Sequence, residues 1–453
     1  MNRLYTLHDY DIVNGDETLL NLQEKIKNSS SVLVIGDGEN SQSNNKQILQ
    51  YYNGDWMISG CIGFLEYTSQ ENSTTYIIKS RFDKEERNDF SNYMLEKALQ
   101  YKSNIFDDMH PNANKEYLFR RMLAIVLFQQ IKKAYKKGIF RQYITYEKND
   151  SHPKGRIDID RHKKLNPLFN GKIAYSNREY TIDNYINQLI LTAFQFLKEE
   201  DSFFIKSLLK QYDTVNQYFA ELRNVITPVN KHHCVGLLNR TSKKIQHSYY
   251  KEWEDVRRTA VLIIKRFGMV ASKKSSKEQI FGVLFKMSSL WEKYIESILK
   301  KDNIFKNVGI QQTKNIFIDE NQVAVTHMKP DFIFPKHSMV LDAKYKMPWS
   351  KYVENPGKMD NKGVLRSDCF QIISYMHIFQ YKNGGVVCPQ TKKELDKLEY
   401  KLIADANSNE KFCIFPIAVQ HDVGSYYEYC KKMEETERQW LDLIIRSIPI
   451  VNI

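Results

Sequence analysis

The chain has 453 residues, of which 42% are hydrophobic and 26% charged, so it is long enough for two or three globular domains with cores of their own. No apolar run approaches the roughly 20 residues of a membrane-spanning helix, and acidic groups from Asp9 to Glu17 stand where a signal peptide would have its apolar core. A formal net charge of +12 suits a polyanionic partner such as DNA, although a lysine-rich composition can also reflect genome bias.

The cysteine spacing and the lack of a P-loop motif exclude several kinds of site. Six cysteines are scattered along the chain and no two form a Cys-x-x-Cys pair, which argues against a zinc site and against a disulfide framework. A reducing, cytoplasmic location and no association with a membrane are therefore expected. No Gly-x-x-x-x-Gly-Lys-Ser/Thr sequence occurs, so we expect that this chain itself binds no nucleotide through a P-loop.

The first two regions differ in their hydrophobic periodicity. Residues 1–110 are expected to form a β-rich N-terminal domain of the α+β class, because 55–67 and 74–82 are strand-like and joined by a polar turn. Residues 111–275 are expected to form a mostly helical middle domain. Its clearest helix is predicted at 117–137, ending at Gly138.

One short element stands out within the helical region. Segment 154–160, Lys-Gly-Arg-Ile-Asp-Ile-Asp, is typical of a tight turn followed by a strand. Arg156 in this turn is a candidate contact for a partner protein. The alternative is structural: Gly155 permits the turn and Arg156 pairs with Asp158.

Two apolar segments in the last region carry charged residues where a buried strand should have none. The first contains Pro330-Asp331 and the second contains Asp342-Ala-Lys344-Tyr345. Side chains alternate along a strand, so Asp342 and Lys344 are expected on one face and Tyr345 on the other. Two carboxylates and an ammonium on adjacent strands would form a site for a hard divalent cation, which suits phosphodiester hydrolysis. The alternative is a surface hairpin with ordinary charges.

Helical segments on either side could supply further groups. In 285–299, Glu292 lies beside an apolar stripe, either within reach of a neighbouring site or as a solvated edge residue. In 366–379, Gln371 and Tyr375 are four residues apart and share a helix face. They could hold a phosphate or orient the lysine, or they could be polar residues at the margin of a helix packed on a sheet.

The order of these segments predicts the architecture of residues 276–453. Strands are expected at 308–319, up to 334, up to 346, at 385–388 and at 412–419, with helices before and among them. This order predicts an α/β fold with a mixed central sheet flanked by helices. A basic, Pro- and Gly-containing stretch then follows the last of the charged strands. It is expected to be a flexible loop that follows a DNA backbone, or else a solvated linker, and its basic residues are Lys346, Lys351, Lys358, Lys362 and Arg366.

Together these residues resemble the PD-(D/E)xK nuclease superfamily. The resemblance implies that Asp331, Asp342 and Lys344 form a catalytic core with Glu292. It implies that Mg²⁺, with Mn²⁺ as an alternative, is held by the three acidic residues. The Gln371-x-x-x-Tyr375 pair matches a supporting helix found in several branches of that superfamily.

A narrower resemblance covers most of the chain. The strongest matching motifs are Met287-Ser-Ser-Leu-Trp-Glu292-Lys-Tyr, Asp342-Ala-Lys344-Tyr345 and Asp368-x-x-Gln371-x-x-x-Tyr375; weaker ones are Tyr76-Ile-Ile-Lys-Ser-Arg-Phe82 and Lys154-Gly-Arg-Ile-Asp158. With these motifs the chain resembles the McrC family, the nuclease subunit of McrBC-type and LlaJI-type restriction systems. The resemblance implies a partner, a McrB-like AAA+ GTPase hexamer bound through the N-terminal and middle domains, whose GTP hydrolysis this chain stimulates.

Three functions therefore compete. The first is a Mg²⁺-dependent DNA endonuclease subunit of a GTP-dependent restriction complex. The second is a non-catalytic basic adaptor that activates an NTPase partner; the complete set of two acids and a lysine argues against it. The third is a nuclease of the same superfamily that cuts DNA without a partner.

Overall fold

The computed structural model divides the chain into two compact units, one made of 1–113 with 277–453 and the other of 114–276. The residues that the structure describes are 2–29, 31–36, 46–52, 54–69, 72–84, 87–100, 115–168, 170–268, 278–301, 308–318, 324–357, 363–391, 398–401, 410–421 and 423–447. Among these residues, no helix is both long and apolar enough to cross a membrane.

The N-terminal segment is rich in strands, as predicted. Its described elements are β1 (Asn2–His8), α1 (Glu17–Asn28), β2 (Val32–Ile35), β3 (Leu49–Tyr52), β4 (Asp55–Ile58), β5 (Cys61–Ser69), β6 (Asn72–Lys79) and α2 (Asp89–Leu99). The strand expected at 55–67 is interrupted after Ile58, because the chain turns at 59–60, where the N–H of Cys61 bonds to Ser59 O (2.6 Å), and passes from the β3–β4 hairpin into the sheet that contains β5 and β6. The apolar faces of β1, β2, β5 and β6 form a core with α1.

The middle unit combines helices with a small sheet. Its elements are α3 (Lys115–Ala134), β7 (Gln142–Asp150), β8 (Arg156–Ile157), α4 (Ile159–Leu165), β9 (Ile173–Thr181), α5 (Tyr185–Glu200), α6 (Ser202–Gln211), α7 (Asp213–Arg223), α8 (Cys234–Arg240) and α9 (Lys251–Ile263). The prediction of a helix near 117–137 is confirmed. It ends in a short 3₁₀ turn before Gly138, whose φ of +85° suits a residue without a Cβ.

The turn at 154–160 is also present, with a strand of only two residues. Gly155 has a φ of +86°, and a Cβ there would lie 2.5 Å from Ser176 O, so a glycine is required. Asp158 does not serve mainly as a partner for Arg156. Its carboxylate caps α4 by accepting the N–H of Arg161 at 3.0 Å, and Arg156 is exposed.

The C-terminal segment contains the mixed sheet. Its described elements are β10 (Gln279–Lys286), α10 (Met287–Lys301), β11 (Gly309–Ile310), β12 (Lys314–Ile318), β13 (Ala324–Met328), β14 (Phe332–Phe334), β15 (Met339–Ala343), α11 (Met347–Glu354), α12 (Val364–Phe379), β16 (Asn383–Gln390), β17 (Leu398–Lys401), β18 (Lys411–Ala418) and α13 (Tyr426–Ser447).

This sheet has the strand order β11-β14-β15-β16-β18-β17. β14 is antiparallel to β15, whereas β15, β16 and β18 are parallel, so the prediction of a mixed sheet is confirmed. Residues of α11 and α12, including Trp349 and Ile372, form a core with the sheet residues Ile333, Val340 and Val386. Trp291 of α10 also reaches the sheet and donates its indole N–H to Val387 O at 3.0 Å.

Two sequence predictions for this region need correction. The single strand expected at 308–319 is two strands, β11 and β12, because the backbone turns at Gln311 (φ +46°) and β12 then pairs with β13 outside the central sheet. The segment after Lys346, expected to be a flexible loop, contains helix α11. Pro348 lies in the first turn of that helix, where a missing N–H costs nothing, so here proline begins a helix.

The predicted division into 1–110, 111–275 and 276–453 treats the first and third segments as separate domains, whereas the structure places them in one unit. The reason is β10. This strand from the third segment lies inside the N-terminal sheet, whose order is β1-β6-β5-β10-β2, antiparallel to β5 and parallel to β2. A boundary near 276 therefore divides the sequence but not the sheet.

Candidate active site

The pairing of β14 with β15 brings the two predicted aspartates together. Phe332 lies opposite Leu341 and Ile333 opposite Val340, so the next step of the same register places Asp331 opposite Asp342. Residues directly opposite in an antiparallel pair project from the same face. Asp331 also contacts β15 itself, since its Oδ2 accepts the N–H of Ala343 at 2.8 Å.

Lys344 lies among these groups on the face predicted from strand alternation. Its Nζ is 2.6 Å from Asp342 Oδ2 and donates to Gln371 Oε1 at 2.9 Å. The side chains of Asp342 and Lys344 are only 6% and 11% exposed, which excludes an ordinary solvated hairpin. Tyr345 points to the opposite side, against Trp291.

Gln371 and Tyr375 form a short chain of hydrogen bonds that ends at the lysine. Gln371 Nε2 donates to Tyr375 Oη at 2.7 Å, and this leaves the amide oxygen directed at Lys344. Because an ammonium can only donate, Lys344 requires the amide oxygen on its side, and the tyrosine hydroxyl accepts from the amide nitrogen on the other. Of the two roles considered from the sequence, the geometry favours orienting the lysine.

Asp368 was not among the predicted site residues, yet it lies at the centre of this network. It is buried on α12, with Oδ1 2.7 Å from Lys346 Nζ and 3.5 Å from Lys344 Nζ. Its Oδ2 accepts the indole N–H of Trp349 at 2.8 Å. The available signal was its spacing, because residues three apart on a helix share a face and Asp368 precedes Gln371 by three.

This contact changes the interpretation of Lys346, which the sequence assigned to DNA. Its side chain is 42% exposed, but its ammonium is held by the buried Asp368, so Lys346 stabilises the network around Lys344. Lys351 and Arg366 are exposed, and the Arg366 guanidinium lies 5.1 Å from the ring centre of Phe370. Lys358 and Lys362 lie outside the described residues.

Glu292 of α10 belongs to the same electrostatic cluster. Burial raises the pKa of its carboxyl, a hydrogen bond from Gln311 opposes that rise, and the charges of Asp342 and Glu296 add to it. Glu296, the carboxylate one turn further along this helix, is paired with Lys300. Glu292 is therefore the carboxylate of α10 that interacts with the strand residues.

The charges of the site are not balanced. Burial holds the pKa of Asp331 well above its usual range, and the nearby charges of Asp342 and Glu292 raise it further. Burial lowers the pKa of Lys344, but Asp342 and Asp368 outweigh that effect and the net shift is upward, so the ammonium keeps its proton. Carboxylates that repel one another in a buried place are a setting in which an additional cation binds favourably.

The donor set fits a magnesium ion that keeps much of its water. Across the described ranges, no three His, Cys, Asp or Glu side chains already stand in the arrangement of a metal site. Mg²⁺, however, is commonly held by one or two carboxylates together with water and phosphate oxygens. Asp331 and Asp342 supply those two carboxylates, and Glu292, held by Gln311, suits contact through water better than direct ligation.

The raised pKa of Asp331 predicts how stability depends on pH. A carboxyl whose pKa is raised by folding binds its proton more tightly in the folded state, so stability falls as pH rises from about 4 through the raised value. Asp331→Asn removes the ionisable carboxyl group and therefore this loss of stability at high pH. In metal-free buffer we expect a higher Tm for the variant at pH 8, by about 1–2 °C per kcal/mol of relieved repulsion, and equal Tm values near pH 4.

Thermal denaturation of both proteins at pH 4, 6 and 8, with chelator present, measures this difference. Asp442→Asn, an exposed aspartate in the interior of α13, is the matched control and should leave the Tm nearly unchanged at each pH. A Tm gain for Asp331→Asn that is the same at pH 4 and pH 8 would contradict the proposed charge repulsion.

Comparison with known proteins gives a family match over most of the chain. A family model described as "McrBC 5-methylcytosine restriction system component" matches residues 57–389, a range that includes Glu292, Asp331, Asp342 and Lys344. Among curated proteins, none matches this sequence.

Two solved structures from Thermococcus gammatolerans are similar in part. One is a half-complex from a tetradecameric assembly of McrB AAA+ hexamers with bound McrC, at 15% identity and a TM-score of 0.45, covering 97% of this chain and 100% of that chain. The other is a cryo-EM structure of the McrBC complex, at 15% identity and a TM-score of 0.29, covering 65% of this chain and 87% of that chain.

Proposed function

Because this chain belongs to the family of McrBC 5-methylcytosine restriction system components, we propose that it is the DNA endonuclease subunit of a GTP-dependent restriction complex. The observation that carries the proposal is the convergence of Asp331, Asp342 and Lys344 on one face of the mixed sheet, with Lys344 2.6 Å from Asp342. This convergence and the flanking helices are also what a PD-(D/E)xK nuclease fold requires.

Each residue of the site then has a role that follows from its contacts. Asp331 and Asp342 would hold Mg²⁺ or Mn²⁺, with Glu292 acting through water. The metal would supply Lewis-acid activation of water and neutralise phosphate charge. Lys344 remains protonated beside Asp342 and provides a fixed positive charge for the charge that develops on the phosphate. Gln371 and Asp368 keep its ammonium in place.

We assign DNA binding to exposed basic residues that follow β15 in the sequence. Lys351 on α11 and Arg366 on α12 are exposed and can contact phosphates, as can Lys358 and Lys362 in the part of the sequence between these helices. Lys346 is removed from this group because Asp368 holds it. Such contacts to the backbone give affinity and make binding weaken with salt.

The partner proposed for this chain is a McrB-like AAA+ GTPase hexamer. The sequence has no P-loop of its own, so GTP would be bound and hydrolysed by the other protein. The N-terminal segment 1–110 and the middle region 111–275 are the proposed docking regions. Arg156 is a candidate contact, because it is exposed on a turn that Gly155 fixes in shape.

The test is cleavage of DNA by the purified chain with the GTPase of its own system, GTP and Mg²⁺, compared with reactions that omit each component in turn. Cleavage that requires all of them supports the proposal. Stimulated GTP hydrolysis with uncut DNA would indicate the non-catalytic adaptor. Efficient cutting by this chain alone would indicate a nuclease that acts without a partner.

The metal requirement needs a separate measurement, because GTP hydrolysis also depends on Mg²⁺. We expect Mn²⁺ to raise the Tm of the isolated chain by about 3–5 °C at a concentration 100 times its dissociation constant. Asp331→Asn should lose most of this shift, since it removes one of the two carboxylates. Equal shifts in the two proteins would show that the metal binds elsewhere.

A further inference from the structure

The segment that follows the candidate catalytic strand leaves the sheet almost at once. β15 ends at Ala343, and Lys344 keeps a backbone hydrogen bond to Val387 O at 2.8 Å. From Met347 the chain continues as α11. The position of Lys344 therefore depends on how the connection 345–346 is held.

That connection is held from the N-terminal segment, by Arg81. This residue follows β6 and belongs to the Lys-Ser-Arg-Phe motif, which has no role in the proposed cleavage mechanism. Its guanidinium donates to Tyr345 O at 2.8 Å and to Ser350 Oγ at 3.2 Å. It thus contacts the connection on one side and α11 on the other.

Tyr345 is fixed by the same motif at two further points. Its hydroxyl is 2.7 Å from Ser80 Oγ, and the Arg81 guanidinium lies 4.3 Å from the centre of its ring. Phe82 packs against the ring edge, with ring centres 6.0 Å apart. The carbonyl, the ring and the hydroxyl of the residue next to Lys344 are therefore all held by residues 80–82.

Arg81 is itself anchored by a buried acid. Asp9, after β1, accepts from Arg81 Nη1 at 2.8 Å and also from the Arg81 backbone N–H. The two side chains are 0% and 15% exposed for Asp9 and Arg81. A buried ion pair is a weak source of stability, because desolvation offsets the attraction. The planar fork of arginine, by contrast, can hold several acceptors in a fixed arrangement, which a lysine cannot do.

We propose that Arg81 is a positioning residue that sets Lys344 in place through Tyr345, which links the N-terminal sheet to the cleavage site. This inference rests on the proposed nuclease function. Arg81 contacts neither Asp331 nor Asp342 in the described hydrogen bonds and ion pairs, so it acts through the backbone of its neighbour. A structural change at the β1–β6 edge of the N-terminal sheet would then alter the position of Lys344.

The test compares Arg81→Lys with a matched control, Arg121→Lys. Arg121 forms a similarly buried ion pair with Asp201 (3.0 Å, both side chains 9% exposed) in the middle unit. Both variants keep the positive charge that the buried aspartate needs. We expect Arg81→Lys to lower kcat for DNA cleavage about 100-fold with little change in KM, as a misplacement of about 1 Å would do, and Arg121→Lys to leave kcat unchanged.

Hydrogen exchange of the peptide 341–350 provides a readout that needs no activity. Exchange should become faster in Arg81→Lys and stay at the wild-type rate in Arg121→Lys. If the wild-type chain fails to cut DNA with its partner, the proposed function fails, but the exchange rates still decide whether Arg81 holds this segment. Unchanged exchange in Arg81→Lys, or faster exchange with undiminished cleavage, would overturn the inference.

A milder variant covers the case in which Arg81→Lys does not fold. Tyr345→Phe keeps the ring under the guanidinium and removes the hydroxyl, which bonds to Ser80 and also interacts with Asp9. Loss of one buried hydrogen bond, about 1 kcal/mol, corresponds to an exchange rate about fivefold faster in 341–350, with cleavage lowered in the same direction. Wild-type exchange and wild-type cleavage in Tyr345→Phe would overturn the inference as well.

Discussion

Asp342→Ala is expected to abolish DNA cleavage while leaving assembly with the GTPase partner and stimulated GTP hydrolysis intact. The carboxylate has two contacts to lose, one to the proposed metal ion and one to Lys344 Nζ at 2.6 Å. Removing residues that merely support metal ligands typically costs 10- to 100-fold in activity, so a loss greater than about 100-fold is expected here. Single-turnover cleavage, size-exclusion chromatography of the complex and a GTPase assay measure the three quantities.

Two further variants make this result specific. Asp342→Asn keeps the shape of the side chain but removes its charge, and it should be nearly as inactive as the alanine variant. Asp442→Ala, an exposed position on α13, is the control for loss of a carboxylate elsewhere and should cut normally. If Asp342→Ala still cuts DNA, Asp342 has no part in the mechanism.

Local periodicity was enough to predict the core of the candidate site. Alternation along a strand placed Asp342 and Lys344 on one face of that strand, and helical spacing placed Gln371 and Tyr375 on one face of a helix. Both patterns can be read from the sequence because they depend only on backbone geometry. The contacts Lys344–Gln371 and Gln371–Tyr375 agree with those placements. Helical spacing alone did not distinguish Glu292 from the nearby Glu296. Glu292 is identified by its hydrogen bond with Gln311 and its interaction with Asp342, which both lie outside the helix.

The features that sequence reasoning missed all depend on distant partners. Lys346 was assigned to DNA because a basic residue after a catalytic strand is typical of a phosphate contact, and nothing local reveals that Asp368 holds it. The same holds for β10, whose apolar pattern predicts a strand but not the sheet it joins. Arg81 is the strongest case, because its contact with Tyr345 spans 264 residues of sequence.

Lys344→Met is expected to lower the rate of DNA cleavage roughly 10²–10³-fold, the range found when one preorganised group that stabilises transition-state charge is removed. Metal binding should survive, because the lysine is not a ligand. The variant would then keep most of the Mn²⁺-induced rise in Tm that Asp331→Asn loses. This pairing of lost cleavage with retained metal binding separates the role of the lysine from that of the carboxylates.

Lys344→Arg is expected to restore little of this activity. The ammonium of Lys344 is a compact charge between Asp342 Oδ2 and Gln371 Oε1, at 2.6 and 2.9 Å, and a planar guanidinium needs a different arrangement of acceptors. Lys351→Met, which removes an exposed lysine of α11, is the control and should weaken DNA binding without a comparable loss of single-turnover rate at saturating enzyme. Wild-type cleavage by Lys344→Met would show that the ammonium of Lys344 serves only to neutralise Asp342 and Asp368. Catalysis would then have to depend on the carboxylates and their metal alone.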